Sequence, residues 1–154
     1  MTRIADYFEM DEYQTWDGEP VSREAPFGVT TVVFRRSTDG SEFLLMHRGQ
    51  EGPGYEGDWA WGPPSGARFP GEDIDVCATR ELLEETGLSV PLLRVEMDSP
   101  EWITYLTEID VSTEIKLSPE HDRYVWVSTS ELCKNVAPEI VCGQLRAAAQ
   151  AIPD

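Results

Sequence analysis

The sequence predicts a single α/β layered domain, and three observations carry that expectation. Strand-like runs stand both before and after one well-marked central helix at 74–86, a second helix pattern lies near the end of the chain, and 154 residues is the size of one ordinary domain. Residues 1–154 are therefore read as one unit, with an acidic segment at 1–26.

That segment sets Asp6, Glu9, Asp11, Glu12, Asp17, Glu19 and Glu24 against Arg3 and Arg23, and Gly18-Glu19-Pro20 punctuates it as a turn. Tyr7, Phe8, Tyr13 and Trp16 give it apolar area to pack on the domain; a partner-binding arm is the other reading. Val29 to Phe34 is a β-branched run and predicts a buried strand. Asp39-Gly40 is a hairpin-type turn signal before the next run, Phe43 to Met46. Gly- and Pro-rich sequence follows from Gly49 to Gly71, interrupted by Trp59-Ala60-Trp61. The helix pattern at 74–86 ends on Gly87, the residue type favoured just past a helix C-terminus. On this helix Val76, Thr79, Leu82 and Leu83 are expected to pack on the sheet. Trp102 to Ile109 and Tyr124 to Val127 predict further strands. Ser128 with Glu131 reads as a capping box for a short helix, and Pro138 as the opening of a last helix through Ala149.

A hydrophobic content of 40% and a charged content of 27% are those of a soluble globular chain. No apolar run approaches the ~20 residues needed to cross a bilayer, and no basic-then-apolar leader opens the sequence, so a cytoplasmic address with no membrane partner is expected. The formal charge of −17 excludes broad binding of extended nucleic acid, whose phosphates are held by basic surface. A small phosphorylated ligand stays compatible, because a divalent cation on clustered carboxylates reverses the local sign. Cys77, Cys133 and Cys142 are odd in number and widely spaced, which predicts neither a disulfide framework nor a zinc site. Cys77, among Val76, Ala78 and Thr79, reads as a small hydrophobe rather than a nucleophile.

The carboxylates that matter lie between Gly66 and Leu88. Glu81, Glu84 and Glu85 stand at i, i+3 and i+4, so at ~100° per residue they share one stripe of the helix. Like charges so placed repel by a few tenths of a kcal/mol per pair, and a Mg²⁺ or Mn²⁺ ion on their oxygens removes the repulsion. For this triad alone a solvated acidic face, helped by Arg80 four residues before Glu84, is the simpler reading. Glu72 and the glycines reverse it: Gly66, Gly71 and Pro63-Pro64 build a tight loop into the helix, where backbone can approach a metal or phosphate closely.

The whole stretch resembles the Nudix box, Gly-x5-Glu-x7-Arg-Glu-U-x-Glu-Glu-x-Gly-U with U aliphatic, and every specified position matches from Gly66 to Leu88. The resemblance implies an α/β/α sandwich with a mixed central sheet, a loop-helix-loop catalytic motif, and hydrolysis of a phosphoanhydride bond with Mg²⁺ (or Mn²⁺). It implies Glu84 and Glu85 as principal metal ligands, joined by the carbonyl of Gly66 or Ser65. Glu81 is either a further ligand or the general base; Arg80 orients it; Glu72 and Gly87 are structural in the motif. Family members commonly place a further acidic residue in a loop before a strand containing Trp-Val, and Glu120 in Ser118-Pro119-Glu120-His121 stands there. His121 reads as a polar loop residue rather than a ligand.

Trp59 and Trp61, with Tyr55 and Phe69 nearby, are candidates to stack on a base, and Arg48 and Arg68 to contact phosphate. Pro63-Pro64-Ser65-Gly66 departs from the Leu-Pro-Gly-Gly common before the box, and with the later Glu-His and Trp-Val it is similar to diadenosine polyphosphate hydrolases and some nucleoside triphosphate pyrophosphohydrolases. The expected partner is thus a small nucleoside polyphosphate, bound by a monomer or a homodimer. The alternatives are a nucleotide-sugar or ADP-ribose pyrophosphatase, and a non-catalytic nucleotide-binding module of the same fold. Binding modules tend to lose box carboxylates, and all are present here.

Overall fold

The computed structural model of the chain describes residues 18–153, and the aromatic residues expected to pack from the first sixteen positions lie outside them. Strand β1 (Gly28–Ser37) turns at Gly40, whose φ of 117° suits a residue without a Cβ, into β2 (Gly40–Arg48). Two short strands follow, β3 (Trp61–Gly62) and β4 (Ser65–Ala67), then helix α1 (Ile74–Thr86). Next come β5 (Leu93–Val95), β6 (Trp102–Glu108), β7 (His121–Ser128), a 3₁₀ turn at Thr129–Glu131 and helix α2 (Glu139–Gln150).

All seven strands join one mixed sheet, in which β1 runs parallel to β6 and every other pairing is antiparallel. Strands β1 and β2 pair with each other only beside their turn, from Ser37↔Gly40 to Phe34↔Phe43. Farther along, β1 takes β4 as its neighbour (Val29↔Gly66) and β2 takes β3 (His47↔Trp61). The sheet is therefore split, and the segment 61–67 fills the split.

Alternation along β1 and β2 sorts their side chains onto two faces. Val32, Phe34, Phe43 and Leu45 pack with Val141, Leu145 and Ala148 of α2. Val33, Leu44 and Met46 pack with Leu82, and Val29 with Cys77 and Ala78, all three from α1. One helix thus covers each face, which is the expected α/β/α sandwich.

Helix α1 has the predicted bounds. Asp73 caps it, its carboxylate accepting from the amides of Asp75 and Val76 at 3.0 and 3.1 Å, and Gly87 closes it at φ 75° with its amide on the Leu83 carbonyl. Its buried face corrects the expectation. Cys77, Ala78, Leu82, Glu85 and Thr86 point inward, whereas Val76 and Leu83 are 57% and 51% exposed and Thr79 faces solvent. At ~100° per residue the inward residues share one arc with Leu82, and Val76 and Leu83 fall opposite.

Two further expectations are corrected. Ser128 makes no capping bond to the 3₁₀ turn; its hydroxyl meets that of Ser130 at 3.1 Å. Cys133 and Cys142 form a disulfide despite their spacing, because α2 folds back until their Cα atoms are 5.4 Å apart. Cys77 is buried and free, and burial pushes its thiol up to about 12, as suits a packing residue.

Candidate active site

The loop entering α1 is held against the helix by one guanidinium. Arg80 Nε and Nη2 donate to the two carboxylate oxygens of Glu72 at 2.8 and 2.9 Å, a bidentate pair. Nη2 also reaches the Ala67 carbonyl at 3.1 Å, Nη1 donates to Glu81 Oε1 at 2.9 Å, and the guanidinium lies 3.8 Å over the Phe69 ring. Glu72 in turn accepts from the Phe69 amide at 3.1 Å, and Arg80 beside it holds its carboxyl below the usual carboxylate range. Arg80 therefore ties loop, helix and the Glu81 carboxylate into one rigid group.

Glu81 lies against Gly66. A Cβ at Gly66 would collide with the Glu81 carboxyl group, so glycine is needed there for space. The Gly66 carbonyl faces β1, close to Gly28, where a Cβ would meet it. Gly66 thus makes room for the Glu81 carboxyl. Burial pushes the Glu81 carboxyl up to about 7, with Arg80 acting against that shift and Glu84 adding to it.

Glu85 goes deeper. It is 6% exposed, and its Oε2 accepts from the Ser65 amide at 2.8 Å. Burial raises its carboxyl well above the usual range, and the charges of Glu81 and Glu120 add to the rise. Glu84 faces solvent, its side chain 56% exposed and its carboxylate 3.4 Å from Arg80 Nη1. The acidic stripe therefore divides, with Glu81 and Glu85 turned inward and Glu84 at the rim.

Opposite α1, the amide of Gly49 donates to the Glu120 carbonyl at 2.9 Å and seats the loop before β7. One ligand atom each from Glu85, Glu120 and His121 lies within 4.8 Å of the others. Burial and the nearby charge of Arg48 push the His121 imidazole down to about 4, so its ring is neutral at pH 7 and has a lone pair to offer. His121 Nδ1 is buried without a hydrogen-bond partner among the described residues, as is the Ser118 hydroxyl. His121 thus belongs to the cluster, against the expectation of a polar loop residue. Nothing in its local sequence signals this; the register of β7 on β2, which sets Arg48 opposite it, brings it in. The donor set, two carboxylates and one neutral imidazole with no Lys or Arg ion pair to Glu85 among the described residues, fits a hard divalent cation.

A cleft runs from this cluster into the split of the sheet. It is lined by Thr30, Met46, Arg48, Trp59, Trp61, Gly62, Pro63, Ser65, His121, Val141 and Gln144. Three residues picked out from sequence, Arg48, Trp59 and Trp61, therefore share one wall. The guanidinium of Arg48 has no hydrogen bond or ion pair among the described residues. Trp59 is the one described non-glycine residue with positive φ, 68°, a conformation bulky residues seldom adopt; it packs against the core and lines the cleft. Trp61 is fixed: its Nε1 donates to Glu56 at 2.8 Å, and its ring packs edge-on against His47 at 4.9 Å. His47 is fully buried; its Nε2 donates to the Tyr55 carbonyl at 2.7 Å and its Nδ1 lies 2.8 Å from Asp122, pinning the loop that carries both tryptophans.

Arg68 is placed elsewhere. Its guanidinium donates to the carbonyls of Pro26, Glu24 and Glu72 and to the Ser22 hydroxyl, at 2.7 to 2.8 Å. It clasps the described part of the N-terminal segment to the domain and leaves no donor aimed at the cleft, which corrects its reading as a phosphate contact.

Known proteins resemble this chain in sequence and in fold. A family model, the NUDIX domain, matches residues 26–142. The chain is 34% identical over 122 residues to a bis(5'-nucleosyl)-tetraphosphatase [asymmetrical] of Mus musculus, a match spanning 67% of this chain and 79% of that protein. Over 81 residues it is 42% identical to an RNA pyrophosphohydrolase of Caulobacter vibrioides, covering 51% of this chain and 40% of the other. In structure it is similar to a C. elegans Ap4A hydrolase in a binary complex, with a TM-score of 0.62 and 24% identity over 80% of this chain and 94% of that one.

Proposed function

The chain belongs to the NUDIX domain family, and from that premise we propose that it hydrolyses a phosphoanhydride bond of a nucleoside polyphosphate, a dinucleoside polyphosphate or a nucleoside triphosphate, with Mg²⁺ or Mn²⁺. One observation carries the reading: a buried carboxylate, Glu85, lies beside Glu120 and His121 where a cleft lined by two tryptophans and an unengaged arginine begins. A helix built for stability alone would place an apolar side chain at that inward position.

Glu85, Glu120 and His121 would hold the cation, with Glu81 and Glu84 beside them. A bound divalent ion supplies charge neutralisation of phosphate oxygens and a lowered pKa for water. Glu81, its carboxyl held near neutral range by burial, takes the proton of the attacking water, a contribution of typically ~10²–10⁴-fold. Arg80 holds that carboxylate in place, and Gly66 leaves it the space it occupies. Arg48 neutralises the polyphosphate chain as it enters, and Trp59 offers its face to a base. Glu120 is the alternative base, and comparing Glu81→Gln with Glu120→Gln separates the two by which loses more kcat.

Likeness to a tetraphosphatase supports the dinucleoside substrate, and likeness to an RNA pyrophosphohydrolase supports a 5'-triphosphate end. The described residues act as a single domain, working as a monomer or homodimer in the cytoplasm. Among them no helix is long and apolar enough to cross a membrane. To test the reading, the purified chain is incubated with Mg²⁺ or Mn²⁺ and dinucleoside polyphosphates, nucleoside triphosphates, ADP-ribose and nucleotide sugars, and the products are weighed by mass spectrometry. Cleavage of one of the first two that stops in EDTA is expected. Preferential cleavage of the last two would reassign the substrate, tight binding with no turnover would make the chain a binding module, and turnover unchanged by EDTA would overturn the metal chemistry.

A further inference from the structure

Gln144 occupies a position that packing does not explain. It is 2% exposed on the inward side of α2, one turn after Val141, and both residues line the cleft. Its neighbours along the inner face, Val141, Leu145 and Ala148, are apolar and belong to the core. The carboxamide makes no hydrogen bond among the described residues, whereas other buried polar side chains such as Thr86, Thr107 and His47 do. Its carboxamide atoms are not among the fully enclosed unpaired groups, so the amide opens onto the cleft while the rest of the side chain is buried. A carboxamide without a protein partner among the described residues, in the lining of a cleft shared with Trp59 and Trp61 and flanked by apolar side chains, points to a ligand that completes its hydrogen bonds.

The chemistry of that ligand follows from the donor set. A carboxamide sets one donor and one acceptor side by side in a plane, complementary to a flat edge bearing an acceptor beside a donor. Every nucleobase carries such an edge; adenine offers it through N6–H and the adjacent ring nitrogen, and is the base a carboxamide pairs with bidentately where arginine takes guanine and a carboxylate takes cytosine. Trp59 and Trp61 on the same wall, with Met46 and Val141, suit a flat apolar face, while Arg48 and His121 mark the direction of the phosphates. We infer that Gln144 is a specificity-determining residue: its carboxamide reads the amino edge of an adenine base seated in this cleft. The inference rests on the proposed nucleotide substrate, but concerns binding of the base and needs no turnover.

Calorimetric binding with Mg²⁺ present tests it with three probes: adenosine 5'-diphosphate, purine riboside 5'-diphosphate (which lacks only the amino group) and inorganic tripolyphosphate. The natural chain is expected to prefer the adenine compound by about 5- to 150-fold, the range of one bidentate base contact. Gln144→Met is expected to abolish that preference, to leave tripolyphosphate binding unchanged, and to unfold at a temperature no lower than the natural chain. Gln144→Glu keeps the shape but cannot donate, and serves as the second variant should Gln144→Met misfold; it too is expected to lose the preference. Equal binding of the two purines by the natural chain overturns the inference. So does a Met variant that melts earlier and loses tripolyphosphate affinity in parallel, the signature of a structural glutamine. A preference that depends on Gln144 in a chain that cleaves nothing would sink the hydrolase reading and leave this one standing; cleavage without any base preference would do the reverse.

Discussion

Removing the charge of Glu81 should change how the metal-free protein responds to pH, and the sign is fixed by the direction of its shift. Burial raises the Glu81 carboxyl from 4.5 to about 7 in the folded chain. Between those values the native state binds a proton that the unfolded state has released, so stability is fully present below the unfolded value and falls as pH rises through about 7. At about 1.4 kcal/mol per unit, the loss amounts to roughly 3 kcal/mol. Glu85, also raised, contributes a fall of the same sign. His121 works in the opposite sense: burial lowers it from 6.5 to about 4, so its contribution grows as pH rises through that window. Raw pH curves therefore superpose opposing slopes, and the difference between natural chain and Glu81→Gln isolates the carboxylate. Urea unfolding in EDTA, measured from pH 4.5 to 8, is the assay. Glu81→Gln should gain on the natural chain by up to about 3 kcal/mol across that range, and excess Mg²⁺ should shrink the gain at the alkaline end. A stability difference that is flat with pH, or that grows toward acid, would refute the claim that Glu81 is held in a desolvated pocket.

Gly66→Ala should drop kcat/KM by ~10²-fold or more, because the added methyl must displace the Glu81 carboxyl from its seat; steady-state kinetics on a folded variant checks it. Arg80→Lys keeps the charge but loses the fork to Glu72, and should cost about 10- to 100-fold in activity, with a weaker apparent Mg²⁺ affinity in metal titrations. Reducing the Cys133–Cys142 disulfide, which closes a short loop onto α2, should lower unfolding free energy by about 2–3 kcal/mol. Urea curves with and without reductant measure this, and Cys133→Ser should abolish the reductant effect.

What the sequence disclosed, and what it hid, follows the range of the forces involved. Helix α1 was legible to the residue, since its period and Gly87 are local signals. The long strands were legible by different signals: β1 by its β-branched run, β2 by the Asp39-Gly40 turn before Phe43–Met46, and β6 by alternation. Strands β3, β4 and β5 did not, because two or three residues are too few to show alternation; they exist by pairing with long neighbours. The carboxylates Glu81 and Glu85 were legible as chemistry, but the turn of the helix that sends Glu85 inward and Glu84 outward depends on which arc docks against Val33 and Met46. His121 and Gln144 come to the cleft through strand register and the seating of α2. Arg68 looked like a phosphate contact and is a clasp, because carbonyls from the N-terminal segment reach it first. The disulfide was hidden by spacing, since a gap of nine residues closes only when α2 folds back.

The face of α1 that docks the helix is also the face that supplies the site, and this couples stability to chemistry. Cys77, Ala78, Leu82 and Thr86 anchor the same arc on which Glu85 sits. Moving Glu85 to the surface would require rotating the helix and exposing Leu82, at the ~2–5 kcal/mol that losing a buried leucine costs. The carboxylate is therefore held in the interior by apolar contacts around it, and the split sheet offers it the Ser65 amide as a counterpart. Burial costs the free chain, which is the origin of the raised carboxyls of Glu81 and Glu85. Positive charge arriving there would release that cost, so the proposed cation would bind where the uncomplexed fold is least at ease. Gln144 follows the same logic across the cleft with a neutral group: an amide left unpaired by the protein, available to whatever presents the matching edge. Both residues break the apolar pattern of the face they stand on, Gln144 within the lining of the cleft and Glu85 beside Ser65 and His121, which line it.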